Sequence, residues 1–184
     1  ICREVLRYPG VEAIDVVEID HDLVDVVRRH FPDLGAAFDD ARVRLTCDDA
    51  HRFLAAADAR WDVIIVDADT LLDPAADLVE RVPLTRLLAR ALADDGILIA
   101  PLGVPACAAA DCRRAHRRLT RRFATTRVYH FSTESLLGQP WAVAWCSPSR
   151  SPEPVTPAPG CTGPLRFWSP ALHPALFALP AELR

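Results

Sequence analysis

Trp61-Asp-Val-Ile-Ile-Val-Asp67-Ala-Asp69-Thr-Leu-Leu-Asp73-Pro74 is the stretch that decides the fold. Its apolar residues run from Val63 to Val66 without alternation, which is typical of a strand buried on both faces of a parallel sheet. Three aspartates follow within seven positions, and a proline closes the segment. Because ligands bind at the carboxyl ends of the strands in open α/β sheets, these acids mark a candidate site.

The composition limits both the size of the protein and its partners. The 184 residues are enough for one domain with a core and too few for two. The net charge of −4 argues against a nucleic-acid partner, because neutralising phosphates requires surplus cations. No apolar run approaches the ~20 residues of a membrane span, so we expect no membrane contact by this segment. The six cysteines show no Cys-x-x-Cys pairing, which predicts small buried residues with reduced thiols in the cytoplasm and no zinc.

Strand-like and helix-like segments alternate through most of the chain. The predicted strands are 13–19, 43–46, 63–66, 97–100, 126–131 and 141–146. The predicted helices are 1–8, 21–31 with Asp20 as N-cap, 50–57, 75–80, one that begins at Pro83, and 106–123. A loop is expected from Pro32 to Arg42, and a turn at Asp94-Asp95-Gly96. This order predicts an α/β protein with a doubly wound, mostly parallel, Rossmann-like sheet and an antiparallel edge pair formed by the last two strands.

Three of the predicted helices carry an apolar stripe at helical spacing. The stripes are Leu23, Val24, Val27 and Phe31; Leu84, Leu87, Leu88 and Leu92; and Cys112, Ala115, Leu119 and Phe123. Six arginines between Arg113 and Arg122 lie opposite the last stripe. We interpret this basic face as a solvated helix surface in preference to a contact with an anionic surface.

Composition also divides the chain into three segments. Residues 1–147 form the predicted Rossmann-like domain, residues 148–164 form a Pro-rich linker, and residues 165–184 are apolar again and form a predicted docking segment. The chain contains no Met and begins with a helix-like segment. We therefore expect a fragment whose first strand and glycine-rich turn precede Ile1.

Three predicted strands end in an acid: Glu18, Asp49 and Asp67. Parallel strands place their carboxyl ends at one edge of the sheet, so we expect all three carboxylates on one rim. Glu18 can accept hydrogen bonds from both hydroxyls of a ribose, and Asp49 can accept one from an adenine amino group. Glu18 taken alone can instead be a helix cap or a surface acid, and a single Asp at a strand end can be a solvated loop residue.

These acids belong to a set of motifs that resembles the spermidine synthase (polyamine aminopropyltransferase) family. The similarity is greatest to bacterial members, some of which have an N-terminal membrane portion. The matching motifs are Val17-Glu18-Ile19-Asp20, Asp49-Ala50 ahead of Phe53-Leu54, the stretch from Trp61 to Pro74, Arg3-Glu-Val-Leu-Arg-Tyr-Pro9, Phe38-Asp-Asp-Ala-Arg-Val43, Asp95-Gly96-Ile97-Leu98, and the tail from Phe167 to Pro180. The resemblance therefore covers nearly the whole chain.

The resemblance implies an activity and a nucleoside site. The activity is transfer of an aminopropyl group from decarboxylated S-adenosylmethionine, as co-substrate, to a polyamine such as putrescine, with release of methylthioadenosine and no metal. Glu18 would bind the ribose, Asp49-Ala50 the adenine, and Pro74 would line the nucleoside pocket. The family also implies a homo-oligomer for the full-length protein.

The amine half of the site departs from the family pattern. Asp67 matches the catalytic base, but the second acid expected three residues later is replaced by Thr70, with Asp69 one position earlier. We expect Asp69 and Thr70 to contact the amine. The family's Tyr-Pro is replaced by Ser135-Leu136, and Pro101 stands where a Gln often follows the fifth strand. Two alternatives stay open: a methyltransferase that uses ordinary S-adenosylmethionine, and a catalytically inactive nucleoside-binding or interaction domain.

Overall fold

The structure is a computed structural model, and it describes residues 1–67, 83–132, 138–152 and 161–179. Its helices are α1 (Cys2–Val5), α2 (His21–His30), α3 (Pro32–Gly35), α4 (Ala50–Ala56), α5 (Leu84–Ala91), α6 (Pro105–Thr120) and α7 (Leu172–Leu176). Its strands are β1 (Ile14–Glu18), β2 (Val43–Cys47), β3 (Trp61–Ile65), β4 (Leu92–Gly103), β5 (Thr125–Ser132) and β6 (Pro140–Ser147). The helix predicted at 75–80 lies outside the described residues. Across those residues, no helix has the length and apolar character needed to cross a membrane.

The chain divides into two compact units. Among the described residues, the first unit holds 1–56 and 161–169, and the second holds 57–67, 83–132, 138–152 and 170–179. In the first unit β1 and β2 form a parallel pair. In the second unit the strand order is β3-β4-β6-β5, with β3 and β4 parallel and β6 antiparallel to both neighbours. The α/β class and the antiparallel pair β5–β6 are therefore confirmed, although the described strands are hydrogen-bonded as two sheets.

In the first unit the predicted apolar stripe of α2 is only partly correct. Asp20 caps the helix as predicted, since its side chain accepts a hydrogen bond from the Leu23 N–H at 3.1 Å. Val24 is buried, but Leu23 is 48% exposed and Phe31 is 54% exposed. Adjacent residues on a helix point about 100° apart, so the face that buries Val24 leaves Leu23 in solvent.

The loop predicted from Pro32 to Arg42 is wrong over its first part, which forms α3 and a 3₁₀ turn at Ala36–Asp39. Pro32 suits the first turn of α3, because proline has the φ of a helix and needs no hydrogen-bond partner there. Gly35 allows α3 to turn back closely on α2. A Cβ at Gly35 would lie 2.7 Å from the Cα of Arg28, which no side chain tolerates.

In the second unit the leucine stripe of α5 is buried as predicted, with Leu87 and Leu88 each 3% exposed. The turn predicted at Asp94-Asp95-Gly96 is instead part of β4. Leu92 pairs with Trp61 and Ile97 pairs with Val63, so β4 carries extra residues between these two pairs. The three turn-forming residues therefore lie in a bulge inside the strand.

Helix α6 buries its predicted stripe against β4, β5 and β6. Cys112, Ala115, Leu119 and Phe123 are all at most 4% exposed, and Leu119 is fully buried. The predicted helix start at 106 is close to the observed start, but Ala108 has a non-helical backbone that kinks the first turns. The arginine face opposite the stripe points largely to solvent.

The prediction that β3 is buried on both faces is wrong. Val63 is 52% exposed and Ile65 is 39% exposed, whereas Val66 just after the strand is buried. β3 is the end strand of its sheet over the described residues and pairs with β4 alone. An uninterrupted β-branched run therefore indicated the strand correctly but not the environment of both its faces.

The C-terminal residues pack on both units separately. In the first unit the Arg7 side chain donates to the carbonyl oxygens of Thr162 at 3.1 Å and Pro164 at 2.8 Å. In the second unit the Phe177 ring after α7 packs against Tyr129 on β5, with 5.7 Å between ring centroids. The division into a domain of 1–147, a linker of 148–164 and a docking segment of 165–184 stays a prediction.

Candidate active site

The ends of β1 and β2 lie side by side in the first unit. The parallel register pairs Glu18 with Cys47, so the residues that follow both strands emerge at the same edge. The backbone N–H of Asp48 donates to the carbonyl oxygen of Glu18 at 3.1 Å. This bond extends the ladder by one residue and brings Glu18 and the Asp48-Asp49 segment together, as the sequence predicts.

Glu18 is half-buried at the turn between β1 and α2. Its Oε1 accepts a hydrogen bond from the backbone N–H of Asp20 at 2.8 Å. This bond fixes the carboxylate beside the start of α2. A carboxylate has about four acceptor sites, so one backbone bond leaves Glu18 able to accept further hydrogen bonds from a diol.

Asp49 is half-buried and is the capping residue of α4. Its Oδ1 accepts from the Arg52 N–H at 3.0 Å, and its carbonyl oxygen accepts from the Phe53 N–H at 2.9 Å. One carboxylate oxygen of Asp49 thus serves as the helix cap, a role that was not predicted from the sequence. Oδ2 is not required by the cap and can accept a bond from a ligand. Ala50, the first residue of α4, is half-buried beside it.

Asp48 is a part of this edge that the sequence analysis missed. Its carboxylate accepts a hydrogen bond from the Asp49 N–H at 2.7 Å and forms an ion pair with Arg52. Hydrogen bonds from the Arg52 guanidinium lower the pKa of the Asp48 carboxyl. The spacing of an acid four residues before an arginine, across a helix start, was the available signal.

Asp67 lies in the second unit, two residues beyond the end of β3. The preceding Val66 is 8% exposed, and its N–H donates to the carbonyl oxygen of Ile99 on β4 at 2.9 Å. This bond continues the parallel ladder to the point where the chain leaves the sheet. Asp67 itself is exposed. The Asp67 side chain therefore lies in solvent directly after the buried Val66.

The remaining predicted site residues lie outside the described residues. They are Asp69, Thr70, Pro74, Ser135 and Leu136. The prediction that Glu18, Asp49 and Asp67 share one rim stays a prediction, because Glu18 and Asp49 belong to one unit and Asp67 to the other. Over the part of the chain that the structure describes, no three His, Cys, Asp or Glu side chains gather as metal ligands would.

Parallel strands followed by helices, with acids at the strand ends, define an α/β fold of the nucleotide-binding class. The family model of the spermine/spermidine synthase domain matches residues 1–154, and the chain belongs to that family. The resemblance predicted from the sequence motifs is therefore confirmed.

Individual proteins from bacteria and plants are also similar to this chain in sequence. The polyamine aminopropyltransferase of Moorella thermoacetica is 31% identical over 180 residues, which cover 98% of this chain and 63% of that protein. Putrescine N-methyltransferase 1 of Nicotiana tabacum is 36% identical over 201 residues, which cover 98% of this chain and 52% of that protein.

A solved structure shows that the fold is shared as well. The crystal structure of spermidine synthase from Thermotoga maritima matches with a TM-score of 0.82 and 26% identity, over 98% of this chain and 63% of that chain. The predicted Rossmann-like class is confirmed by this match. The chain thus spans between about half and two thirds of the length of these relatives.

Proposed function

We propose that the protein containing this chain transfers the aminopropyl group of decarboxylated S-adenosylmethionine to a polyamine such as putrescine. The observation that carries the proposal is the adjacency of Glu18 and Asp49 at the ends of two paired parallel strands in a member of the spermine/spermidine synthase family. Two acceptor side chains at this edge match the ribose hydroxyls and the adenine amino group of a nucleoside.

The chemistry requires a neutral amine and a good leaving group. The amine nitrogen attacks the aminopropyl carbon bonded to the sulfonium, so a C–N bond forms while the C–S bond breaks. The electron pair of the broken bond stays on sulfur, which leaves neutral methylthioadenosine. Because the amine is an ammonium at neutral pH, a base first removes one proton and passes it to solvent, and the nitrogen then attacks as a neutral amine. No metal takes part in these steps as proposed.

The nucleoside and the amine are bound by different residues in this proposal. Glu18 binds the ribose, and Asp49 with Ala50 binds the adenine. Pro74 lines the nucleoside pocket. Asp67 attracts the cationic amine, removes its proton and holds the nitrogen in line with the reacting carbon. General-base assistance of this kind typically contributes ~10²–10⁴-fold to the rate.

Asp69 and Thr70 are proposed to contact the distal part of the amine. Aspartate attracts a second ammonium group, whereas threonine offers only a neutral hydroxyl. The acceptor is therefore proposed to be held mainly by charge at Asp67 and Asp69. This arrangement suits a diamine such as putrescine, which has a cationic group at each end.

A second candidate function is methyl transfer from ordinary S-adenosylmethionine to the same kind of amine. The similarity to a putrescine N-methyltransferase, at 36% identity, favours it specifically. The two reactions use the same sulfonium chemistry and the same attacking nitrogen. They differ in the sulfonium-bonded carbon that is attacked and in the nucleoside product.

One experiment separates these functions and the inactive alternative. The complete protein is incubated with putrescine and either decarboxylated or ordinary S-adenosylmethionine, and the nucleoside products are identified by mass. Aminopropyl transfer predicts methylthioadenosine from the decarboxylated compound. Methyl transfer predicts S-adenosylhomocysteine from the ordinary compound, and no product from either contradicts both enzymatic proposals.

We also propose that the protein is cytoplasmic and forms a homo-oligomer. All six cysteines lie within the described residues and are free thiols, which suits a reducing compartment. Cell fractionation tests the first proposal, and light scattering at high protein concentration tests the second. A monomer under those conditions would contradict the oligomer.

A further inference from the structure

The proposed function leaves Asp48 and Arg52 without a role, although both contact Asp49. The carboxylate of Asp48 accepts the backbone N–H of Asp49 and also binds the guanidinium of Arg52. The backbone N–H of Arg52 in turn donates to Oδ1 of Asp49 at 3.0 Å. The Asp48 carboxylate therefore contacts both of the residues that form the hydrogen bond capping α4.

This closed set of bonds fixes the direction of the Asp49 side chain. Oδ1 is committed to the Arg52 N–H, so the position of Oδ2 depends on where the backbone of Asp49 and the first turn of α4 lie. Asp48 is anchored independently of α4, because its own N–H donates to the carbonyl oxygen of Glu18 at 3.1 Å. The helix start and the strand end are thereby held in a fixed relation.

We propose that Asp48 and Arg52 are positioning residues that direct the Asp49 carboxylate at the exocyclic amino group of the adenine. The inference rests on the proposed function, in which Asp49 binds that group. The Arg52 side chain is 75% exposed and the Asp48 side chain 22% exposed, so water screens their attraction. Arg52 should therefore contribute modestly to the position of the Asp49 carboxylate. Asp48 should contribute more, because it also accepts the Asp49 N–H.

The test compares two ligands that differ only at this contact. Binding of methylthioadenosine and of its 6-oxo counterpart, methylthioinosine, is measured by calorimetry on the complete protein. A carboxylate accepts a bond from the 6-amino group but is repelled by the 6-oxo group. A variant that only loses folded protein lowers the number of binding sites and leaves the ratio of the two Kd values unchanged. A positioning role changes the ratio itself.

The wild-type protein is expected to prefer the 6-amino ligand by about tenfold to a hundredfold. Asp48→Ala is expected to reduce this ratio about fivefold, and Arg52→Ala about twofold. Asp48→Asn should fall between them, because asparagine keeps an acceptor for the Asp49 N–H but loses the charge. Arg44→Ala is the matched control, since Arg44 forms an ion pair with Asp15 near the starts of the same two strands, away from their carboxyl ends.

The outcomes separate the inference from the function on which it rests. A wild-type ratio retained in Asp48→Ala and Arg52→Ala overturns the positioning role alone. A wild-type protein that binds the two nucleosides equally overturns the placement of adenine at Asp49, and the inference falls with it. A reduction of the ratio by Arg44→Ala that equals the effect of Asp48→Ala also overturns the positioning role.

Discussion

Glu18 and Cys47 lie side by side as the last residues of β1 and β2. The thiol of Cys47 is exposed, and its Sγ lies 3.8 Å from the carbonyl oxygen of Ile19. The prediction that the six cysteines are small buried residues is wrong for Cys107, which is also exposed, and for Cys47. The register places Cys47 beside the edge at which the ribose is proposed to bind. The reactivity of the Cys47 thiol can therefore show whether a ligand is bound at that edge.

Methylthioadenosine is expected to slow alkylation of Cys47 in the complete protein, because a nucleoside at Glu18 covers the neighbouring thiol. The rate is measured by mass spectrometry after pulses of iodoacetamide. Cys107 is the internal control, since it is also exposed but lies on α6 in the second unit. Equal protection of both thiols, or of neither, would argue against a nucleoside at this edge.

Acid is expected to weaken the first unit through Asp40. Hydrogen bonds from Arg42 lower the pKa of Asp40 from its ordinary value near 4 to about 2. A depressed pKa in the folded state adds stability above the unfolded value, and this stability is lost as the pH falls through about 2. Arg42 also donates to the carbonyl oxygens of Leu6 at 3.2 Å and Val11 at 3.4 Å, so it ties three segments together.

Arg42→Ala should therefore lower the free energy of unfolding at pH 7 and flatten its dependence on pH between about 4 and 2. Denaturant titrations at several pH values measure both effects. Arg28→Ala serves as control, because its ion pair with Asp39 is well exposed and should contribute little at any pH. An unchanged acid dependence in Arg42→Ala would show that the pair does not control it.

The core of the second unit is expected to depend on Leu119, which lies on α6 and is fully buried. Leu119→Ala should lower the free energy of unfolding by about 2–5 kcal/mol, because it removes packed methyl groups and leaves a cavity. Arg117→Ala, on the exposed face of the same helix, should change it by at most about 0.5 kcal/mol. Chemical denaturation of both variants checks the contrast. Comparable losses would mean that the arginine face is not the solvated surface inferred from its pattern.

The stripes of four apolar residues predicted burial well at α5 and α6, where three residues of each stripe are buried on the helix and the fourth, Leu92 or Phe123, is buried just after it. The stripe of α2 predicted burial less well, because Leu23 and Phe31 lie at its margins and Val24 alone among its residues is buried. Spacing defines which residues share a face. It does not define how much of that face another element covers.

The sequence also predicted secondary structure less well where contacts with other elements determine the backbone conformation. The helix at Pro32–Gly35 was missed because Pro and Gly usually indicate a loop, whereas here they form a helix start and a close contact with α2. At the candidate site, motif order predicted Glu18 and Asp49 beside each other. It did not predict Asp48, whose role depends on hydrogen bonds across a strand end and a helix start.

The C-terminal segment is expected to shield Tyr129 from solvent. Burial raises the pKa of Tyr129 to about 12, and its ring packs against Phe177. Phe177→Ala should admit water and lower this pKa toward the ordinary value near 10. Ultraviolet absorbance during alkaline titration of this chain measures it, in a Tyr8→Phe background in which Tyr129 is the one tyrosine of the 184 residues. Phe167→Ala, at an exposed phenylalanine in the other unit, is the control.

The same Tyr129 titration curve in the Phe177→Ala variant and in its parent would show that the tail does not cover the ring. A shift caused by the Phe167 variant as well would point to a general loss of structure. We therefore predict a lower Tyr129 pKa in the Phe177→Ala variant and an unchanged one in the Phe167→Ala variant.

The role of Asp67 is the central claim, and turnover of the Asp67→Asn variant tests it most directly. The complete protein is assayed with decarboxylated S-adenosylmethionine and putrescine, and methylthioadenosine release is measured beside the Kd for methylthioadenosine. We predict a wild-type Kd, because Glu18 and Asp49 are untouched, and a kcat reduced by ~10²-fold or more, because the amide neither removes the proton nor attracts the ammonium. Turnover of Asp67→Asn at the wild-type rate would contradict the account and leave Asp67 as an acid at the end of a strand.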